Sequence, residues 1–215
     1  MQNEMQNAAK GVIAMEYDGK LVVAKLARWE RYLNHYALPP WDDIPNVGLY
    51  MEQVLVLLKE YLDYLPPELK EEQFITAATI NNYVQKKFMP EPIKKRYYRV
   101  HIAYMIMICT LKQSLCIATL QKLIPNGIEE DEVREIYTAY AHRHRLAVEY
   151  FVEQVKMIAE PLIYQKESEH AVAVEETRDF ITVQAVVSSF AKLLAEKLLL
   201  LEGKKYEDMD EESLK

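Results

Sequence analysis

The stretch TINNYVQKKFMPEPIKKRYYRVHIAYMI, residues 79–106, decides how the chain is read. It gathers lysines, arginines and tyrosines around Pro90 and Pro92 in a protein whose formal net charge is -7. Between residues 86 and 112, Lys86, Lys87, Lys94, Lys95, Arg96, Arg99 and Lys112 stand against Glu91 alone. A positive island in a negative chain says more about partners than the overall charge does. Thr76 is a good N-cap residue and predicts a short helix over 76–87. On that helix Ala77, Ile80 and Val84, with Tyr83 flanking, face the core, while Thr79, Asn82 and Lys86 share the outer face. The two prolines then forbid helix. KKRYYRV passes through a short extended wing into the buried helix HIAYMIMICTLKQ, and CIATLQKLI makes one more helix, closed by the turn signal Pro125-Asn126-Gly127.

Outward from this stretch the chain reads as all-α. Half of its 215 residues are hydrophobic, so it can bury a core, and five glycines and nine prolines are too few for a turn-rich β protein. LVVAKLARWERYLNHY, residues 21–36, has helical spacing. ALPPWDDIPN breaks it, and VGLYMEQVLVLLKEYLDYL makes a second helix that Pro66-Pro67 end. From Glu129 onward, Val133, Tyr137, Tyr140, His144, Val148, Phe151, Val155 and Ile158 form an amphipathic stripe suited to a bundle or coiled-coil arm, which Pro161 should kink or end. A further helix over 174–201 is apolar on nearly every face and needs a cover from its own bundle or another subunit. Residues 1–19 read as a flexible lead and 203–215 as a disordered tail. The polar first residues lack the apolar core of a signal peptide, and no run is apolar enough to span a bilayer, so the expected location is the cytoplasm, away from any membrane.

The outer face of the helix at 76–87 carries the donors and acceptors that base edges and phosphates require. Thr79 and Asn82 are the first candidates for base contact, followed by Asn81 and Tyr83. Lys86, Lys87, Lys94, Lys95, Arg96 and Arg99 are the candidates for backbone phosphate, which positions a protein on DNA without specifying sequence. Tyr97 closes the wing, and its hydroxyl is a further donor. The bland alternatives are a solvated basic loop and, for the tyrosines (Tyr104 above all), packing in the core. His142 and His144 lie two apart and point to different faces of a helix, so AHRHR is poor metal-ligand geometry. Cys109 and Cys116 lack a CxxC partner and read as buried free thiols. No glycine-rich phosphate loop, nucleophile elbow or HExxH is present. The expectation is therefore a protein without catalytic residues, metal or cofactor.

TINNYVQKKFMP followed by KKRYYRVHIAYMIMI resembles the MerR-type winged helix-turn-helix. In that family the recognition helix reads like T-L-R-Y-Y-E-K-I-G-L-L-P, followed by a basic wing ending in tyrosine and a further helix. Thr79 and Ile80 take the T-L positions and Asn81, Asn82 and Tyr83 the R-Y-Y positions. Phe88, Met89 and Pro90 take L-L-P, and Tyr97 takes the closing tyrosine. Lys87 stands where the family has glycine. The blocks PPWDDIP, LYMEQV, ITAATINNYV and IKKRYYRVHIAYMI, over residues 35–125, also resemble a bacterial family known as a numbered domain of unknown function, which points to Gram-positive bacteria.

The resulting expectation is an all-α protein: a MerR-like winged helix-turn-helix near 70–125, with allowance for a very short β wing, inside a helical domain at 20–127. A long-helix hairpin or bundle at 128–202 would dimerise it or sense a small-molecule effector. The function this implies is a transcription regulator that binds double-stranded DNA as a homodimer. The alternative is a helical protein-interaction adaptor that keeps the fold without specific DNA binding.

Overall fold

RVHIAYMIMICTL is apolar around its whole circumference, and a helix of that kind has to be surrounded. The computed structural model, which describes residues 19–63 and 75–164 together with Val187, Ser188, Ala191 and Lys192, places it at the centre. The element order is α1 (Gly19–His35), a 3-10 turn (Trp41–Asp43), α2 (Met51–Tyr61), α3 (Ala77–Gln85), α4 (Arg99–Leu111), α5 (Ile117–Leu123) and α6 (Glu130–Tyr164). Every residue from His101 to Cys109 in α4 is buried. Helix α2 packs on one side of α4 and α6 on another, while α1 lies along α6. Among the described residues there is no strand, only the isolated antiparallel bridges Leu49–Tyr97 and Ile93–Arg96. None of the described helices is long and apolar enough to cross a membrane.

The breaks fall where the local chemistry puts them. Thr76 caps α3 by accepting from the Thr79 N–H at 3.1 Å. Gly127 takes φ 78° in the turn before α6, a conformation open to glycine. Tyr104 donates to the Pro125 carbonyl at 2.6 Å, and Tyr137 donates to the Pro39 carbonyl at 2.7 Å. Each buried phenol thus satisfies its hydroxyl on a proline-bearing loop and ties that loop to the core. Burial pushes the Cys109 thiol up to about 12, so it stays an inert core thiol, whereas Cys116 is exposed.

One expectation is corrected. Residues 47–50 are not helical: Leu49 exchanges two 2.9 Å hydrogen bonds with Tyr97, and α2 opens only at Met51. Of the two outcomes expected at Pro161, a kink or an end, the end is excluded, because α6 runs on to Tyr164. Part of its apolar stripe packs within the chain, as a bundle would have it. Val133 and Tyr137 join the central core, Phe151 meets Trp29 of α1 edge-on at 5.6 Å, and Val152 is buried. Residues on both sides of 127 therefore share one core. The expected helix at 174–201, the N-terminal lead and the C-terminal tail lie outside the described residues, apart from the four named above and Gly19, which opens α1.

Arg145 joins α6 to α1. Its guanidinium donates to the carbonyls of Leu33 at 3.1 Å, Asn34 at 2.9 Å and Tyr36 at 2.8 Å, and it also meets Glu149 at 2.8 Å. The last carbonyls of a helix have no partner within it, and a cation there opposes the negative end of the helix dipole.

Candidate functional site

Helix α3 turns Ile80 and Tyr83 inward and leaves Ala78, Asn81, Asn82, Gln85 and Lys86 exposed. Its end explains why the chain leaves the helix so sharply. Phe88 N–H bonds to the Tyr83 carbonyl at 2.9 Å and Lys87 N–H to the Val84 carbonyl at 3.0 Å. That pair of bonds is the Schellman motif, which requires a left-handed residue at Lys87. Lys87 supplies it at φ 57°, where glycine is usual. Phe88 folds back against Tyr83 with ring centroids 6.4 Å apart. Asn126, from the turn before α6, donates to the Lys87 carbonyl at 2.9 Å and braces this corner.

Residues 93–96 form a two-residue hairpin turn. Ile93 N–H bonds to the Arg96 carbonyl and Arg96 N–H to the Ile93 carbonyl, each at 3.0 Å. The two central residues, Lys94 and Lys95, have φ 50° and 63°. Positive φ at both centres belongs to the type I′ hairpin turn, whose usual occupants are Asn and Gly. Both lysines are exposed at the tip.

The base of the hairpin is fixed from three sides. Tyr97 is buried and pairs with Leu49 through backbone bonds. Arg96 donates to the Tyr50 hydroxyl at 2.9 Å and stacks over its ring at 4.7 Å. Gly48 makes this approach possible: a Cβ there would stand 2.8 Å from Arg96 Cδ and 3.0 Å from the Tyr98 hydroxyl. His101 holds the rear. Its Nδ1 accepts from the Tyr98 N–H at 3.0 Å, which leaves Nε2–H to donate to the Glu91 carbonyl at 3.0 Å. The imidazole thus caps α4 and anchors the loop ahead of the hairpin.

The sequence-derived candidates separate into three groups. Asn81, Asn82, Lys86, Lys87, Lys94 and Lys95 are exposed. Arg96 is exposed but committed to Tyr50 and Gly48. Thr79, Tyr83, Tyr97 and Arg99 serve the fold. The Thr79 hydroxyl lies 2.9 Å from that of Thr76, half-buried inside the cap. Tyr83 and Tyr97 are buried, and loss of solvation holds both phenols above their usual range. Neither reaches solvent as a donor, which corrects their assignment to DNA contact. Arg99 is corrected likewise: it donates to the Ile44 carbonyl at 2.7 Å and the Asp42 carbonyl at 3.2 Å. It also pairs with the Asp42 carboxylate at 3.6 Å and lies 5.7 Å from the Trp41 ring. Lys112 sits 5.7 Å from the Tyr83 ring, on the core side of α3.

Sequence reasoning missed Gln85, exposed one turn after Asn81 and Asn82, and the bracing roles of Gly48, Tyr50 and Asn126. A single glycine beside an aromatic, facing a basic run in the next segment, was the available signal for Gly48. Nothing local announces the others. His142 is exposed, and His144 is half-buried between the rings of Tyr36 and Tyr140 at 6.1 and 6.2 Å. No curated protein and no solved structure matches the chain. Residues 39–143, which contain all of this site, match the family described as a domain of unknown function (DUF1836).

Proposed function

We propose that this chain is a transcription regulator that binds double-stranded DNA. In this reading α3 acts as the recognition helix and residues 93–96 as the wing of a MerR-like winged helix-turn-helix. One observation carries the reading. Among the described residues, the non-glycine positions with positive φ are Lys87, Lys94 and Lys95, and all three belong to the basic island. A left-handed conformation costs a residue with a Cβ about 1–2 kcal/mol, and glycine or asparagine would remove most of that. Strain of this kind persists where function needs the side chain. The side chain retained three times is a flexible cation, the group that neutralises phosphate.

The order of elements supports the same reading. A short polar-faced helix, a sharp turn, a lysine-tipped hairpin and a buried supporting helix follow one another, and the hairpin base pairs with the segment just ahead of α2. Dimerisation through the C-terminal region is part of the proposal. The stripe facing α1 is already used, but Leu146, Tyr150 and Met157 form a second exposed stripe on α6 at helical spacing.

Fluorescence anisotropy with a labelled duplex of mixed sequence, read across salt concentrations, tests the proposal. Four exposed lysines predict a slope of log K against log salt of about -3.6 per protomer. Lys94→Ala/Lys95→Ala flattens that slope by about 1.8. Binding with no salt dependence, or a slope untouched by the double variant, refutes it.

A second reading is favoured by a different feature. Val47 (60% exposed), Tyr50 (50%) and Ile93 (59%) surround Arg96 with apolar surface next to the lysines. A basic tip beside an apolar patch also suits an acidic-hydrophobic protein surface, the adaptor alternative. Tyr50→Ser and Ile93→Ser would then abolish partner binding, whereas the DNA reading places the loss on the lysines.

A further inference from the structure

The exposed face of α3 is unusual in what it omits. No residue of the helix carries a charge, and the basic groups begin only at Lys86, beyond its last turn. What it displays is Ala78, Asn81, Asn82 and Gln85. On a helix, both 81 and 82 lie three or four positions from 78 and from 85, so one methyl and three carboxamides form a single compact surface. None of the three amides has a hydrogen-bond partner among the described residues. The neighbouring Thr79 is withdrawn into the cap, and Tyr83 into the core.

We infer that this face reads A·T base pairs in the major groove. The inference rests on the DNA-binding reading above and specifies its target. A carboxamide presents one donor edge and one acceptor edge, which matches adenine's N7 acceptor and N6 donor in a two-bond pair. Guanine presents two acceptors there and calls for arginine or lysine, which α3 lacks. The Ala78 methyl suits the thymine methyl group. Asn82 and Gln85 are the specifying residues, one turn apart, with Asn81 beside them. Lys86 and Lys87 past the end of the helix, with Lys94 and Lys95 at the hairpin tip, hold the backbone without choosing a sequence. Each well-formed amide–adenine pair contributes roughly 5- to 100-fold in affinity over a mismatched base.

The full chain, incubated with a random-sequence duplex pool at moderate salt, should enrich duplexes with a short A·T run. The winning duplex is then remade with 7-deazaadenine, which deletes the N7 acceptor and leaves base pairing and the minor groove intact. Affinity should fall roughly 5- to 100-fold, while 7-deazaguanine substitution outside the run leaves it unchanged. Asn82→Ala and Gln85→Ala should erase the preference for A·T over G·C at an unaltered salt slope. Inosine·cytosine pairs in place of the A·T run supply the decisive control, because they copy its minor groove but present a guanine-like major groove. Wild-type binding to that duplex, or indifference to 7-deazaadenine, overturns the inference and leaves the DNA-binding reading standing. Failure to bind any duplex overturns both.

Discussion

Replacing Lys94 and Lys95 by Asn and Gly separates what the hairpin turn costs from what it does. Both residues occupy left-handed backbone at φ 50° and 63°, the positions for which the Asn-Gly pair is preferred. Removing the Cβ at 95 recovers about 1–2 kcal/mol, and asparagine at 94 recovers a smaller share because it tolerates that conformation. Glycine's extra freedom in the unfolded chain offsets about 0.5–1 kcal/mol of this gain. The net expectation is a protein more stable by about 1–2 kcal/mol, a rise in Tm of roughly 2–8 °C for a chain of this length. The same variant loses two exposed cations that the proposed function assigns to phosphate, so on that proposal its salt slope flattens by about 1.8. Lys94→Ala/Lys95→Ala is the matched comparison: it loses the same charge but keeps Cβ atoms in left-handed backbone, so the slope flattens while Tm does not rise. Differential scanning calorimetry and anisotropy titrations on the three proteins give both readings. If the Asn-Gly protein melts no higher than the Ala-Ala protein, the turn is not strained and the central argument for function fails.

Three further outcomes follow from the contacts around the site. Gly48→Ala should drive Arg96 and the hairpin base outward, costing about 1–3 kcal/mol. Hydrogen exchange should show lost protection at the Leu49 and Tyr97 amides, with α6 unaffected. Arg145→Met keeps the aliphatic stem but removes the donors at the end of α1, so urea denaturation should show a loss of about 1.5–3 kcal/mol. His144 lies half-buried between Tyr36 and Tyr140, and burial holds its pKa below the ordinary 6.5. The unfolded chain therefore takes up the proton first, so the contribution is complete above about 6.5 and declines as pH falls toward the folded value. His144→Phe should flatten that decline between pH 7 and 5, and an unchanged pH profile in denaturant titrations would place the acid sensitivity elsewhere.

Much of the fold was legible because its signals are local. Thr76 announces the start of α3 and does cap it. The all-apolar run after Arg99 demanded burial on every side and received it. The turn at Asn126-Gly127 stands where its residues put it. His101, which stands at the start of the apolar run, caps α4. Most of the failures are partnerships across long stretches of chain. Arg99 sits in a basic run and looks like surface, and only the fold brings Ile44, Asp42 and Trp41 to it. Tyr83 and Tyr97 each carry a polar end, which leaves exposure undecided in the sequence, and here packing claims both. The stripe on α6 suited a bundle or a coiled-coil arm, and periodicity alone does not choose between them; α1 of the same chain packs along it. The hairpin turn hid because Lys-Lys is not the sequence that type I′ turns favour.

That last failure bears on how the basic island should be understood. Taken as a run of charge, its seven basic residues are equivalent, and a solvated loop explains them equally well. The fold makes them unequal. Arg99 is consumed in clamping Trp41 and Asp42, Arg96 in holding Tyr50, and Lys112 lies against the Tyr83 ring. The arginines, whose planar guanidinium suits fixed multi-point bonding, do the structural fastening. The exposed cations at the corner and tip are lysines, which suit loose, adjustable neutralisation of a polyanion. A solvated loop offers no reason for that division, nor for placing three of those lysines in backbone that disfavours them. Selection for charge at fixed points on a braced hairpin accounts for both. It also explains why the hairpin is braced from Gly48 and the Lys87 corner from Asn126, both far away in the chain: a flexible loop would present the same charge without needing either.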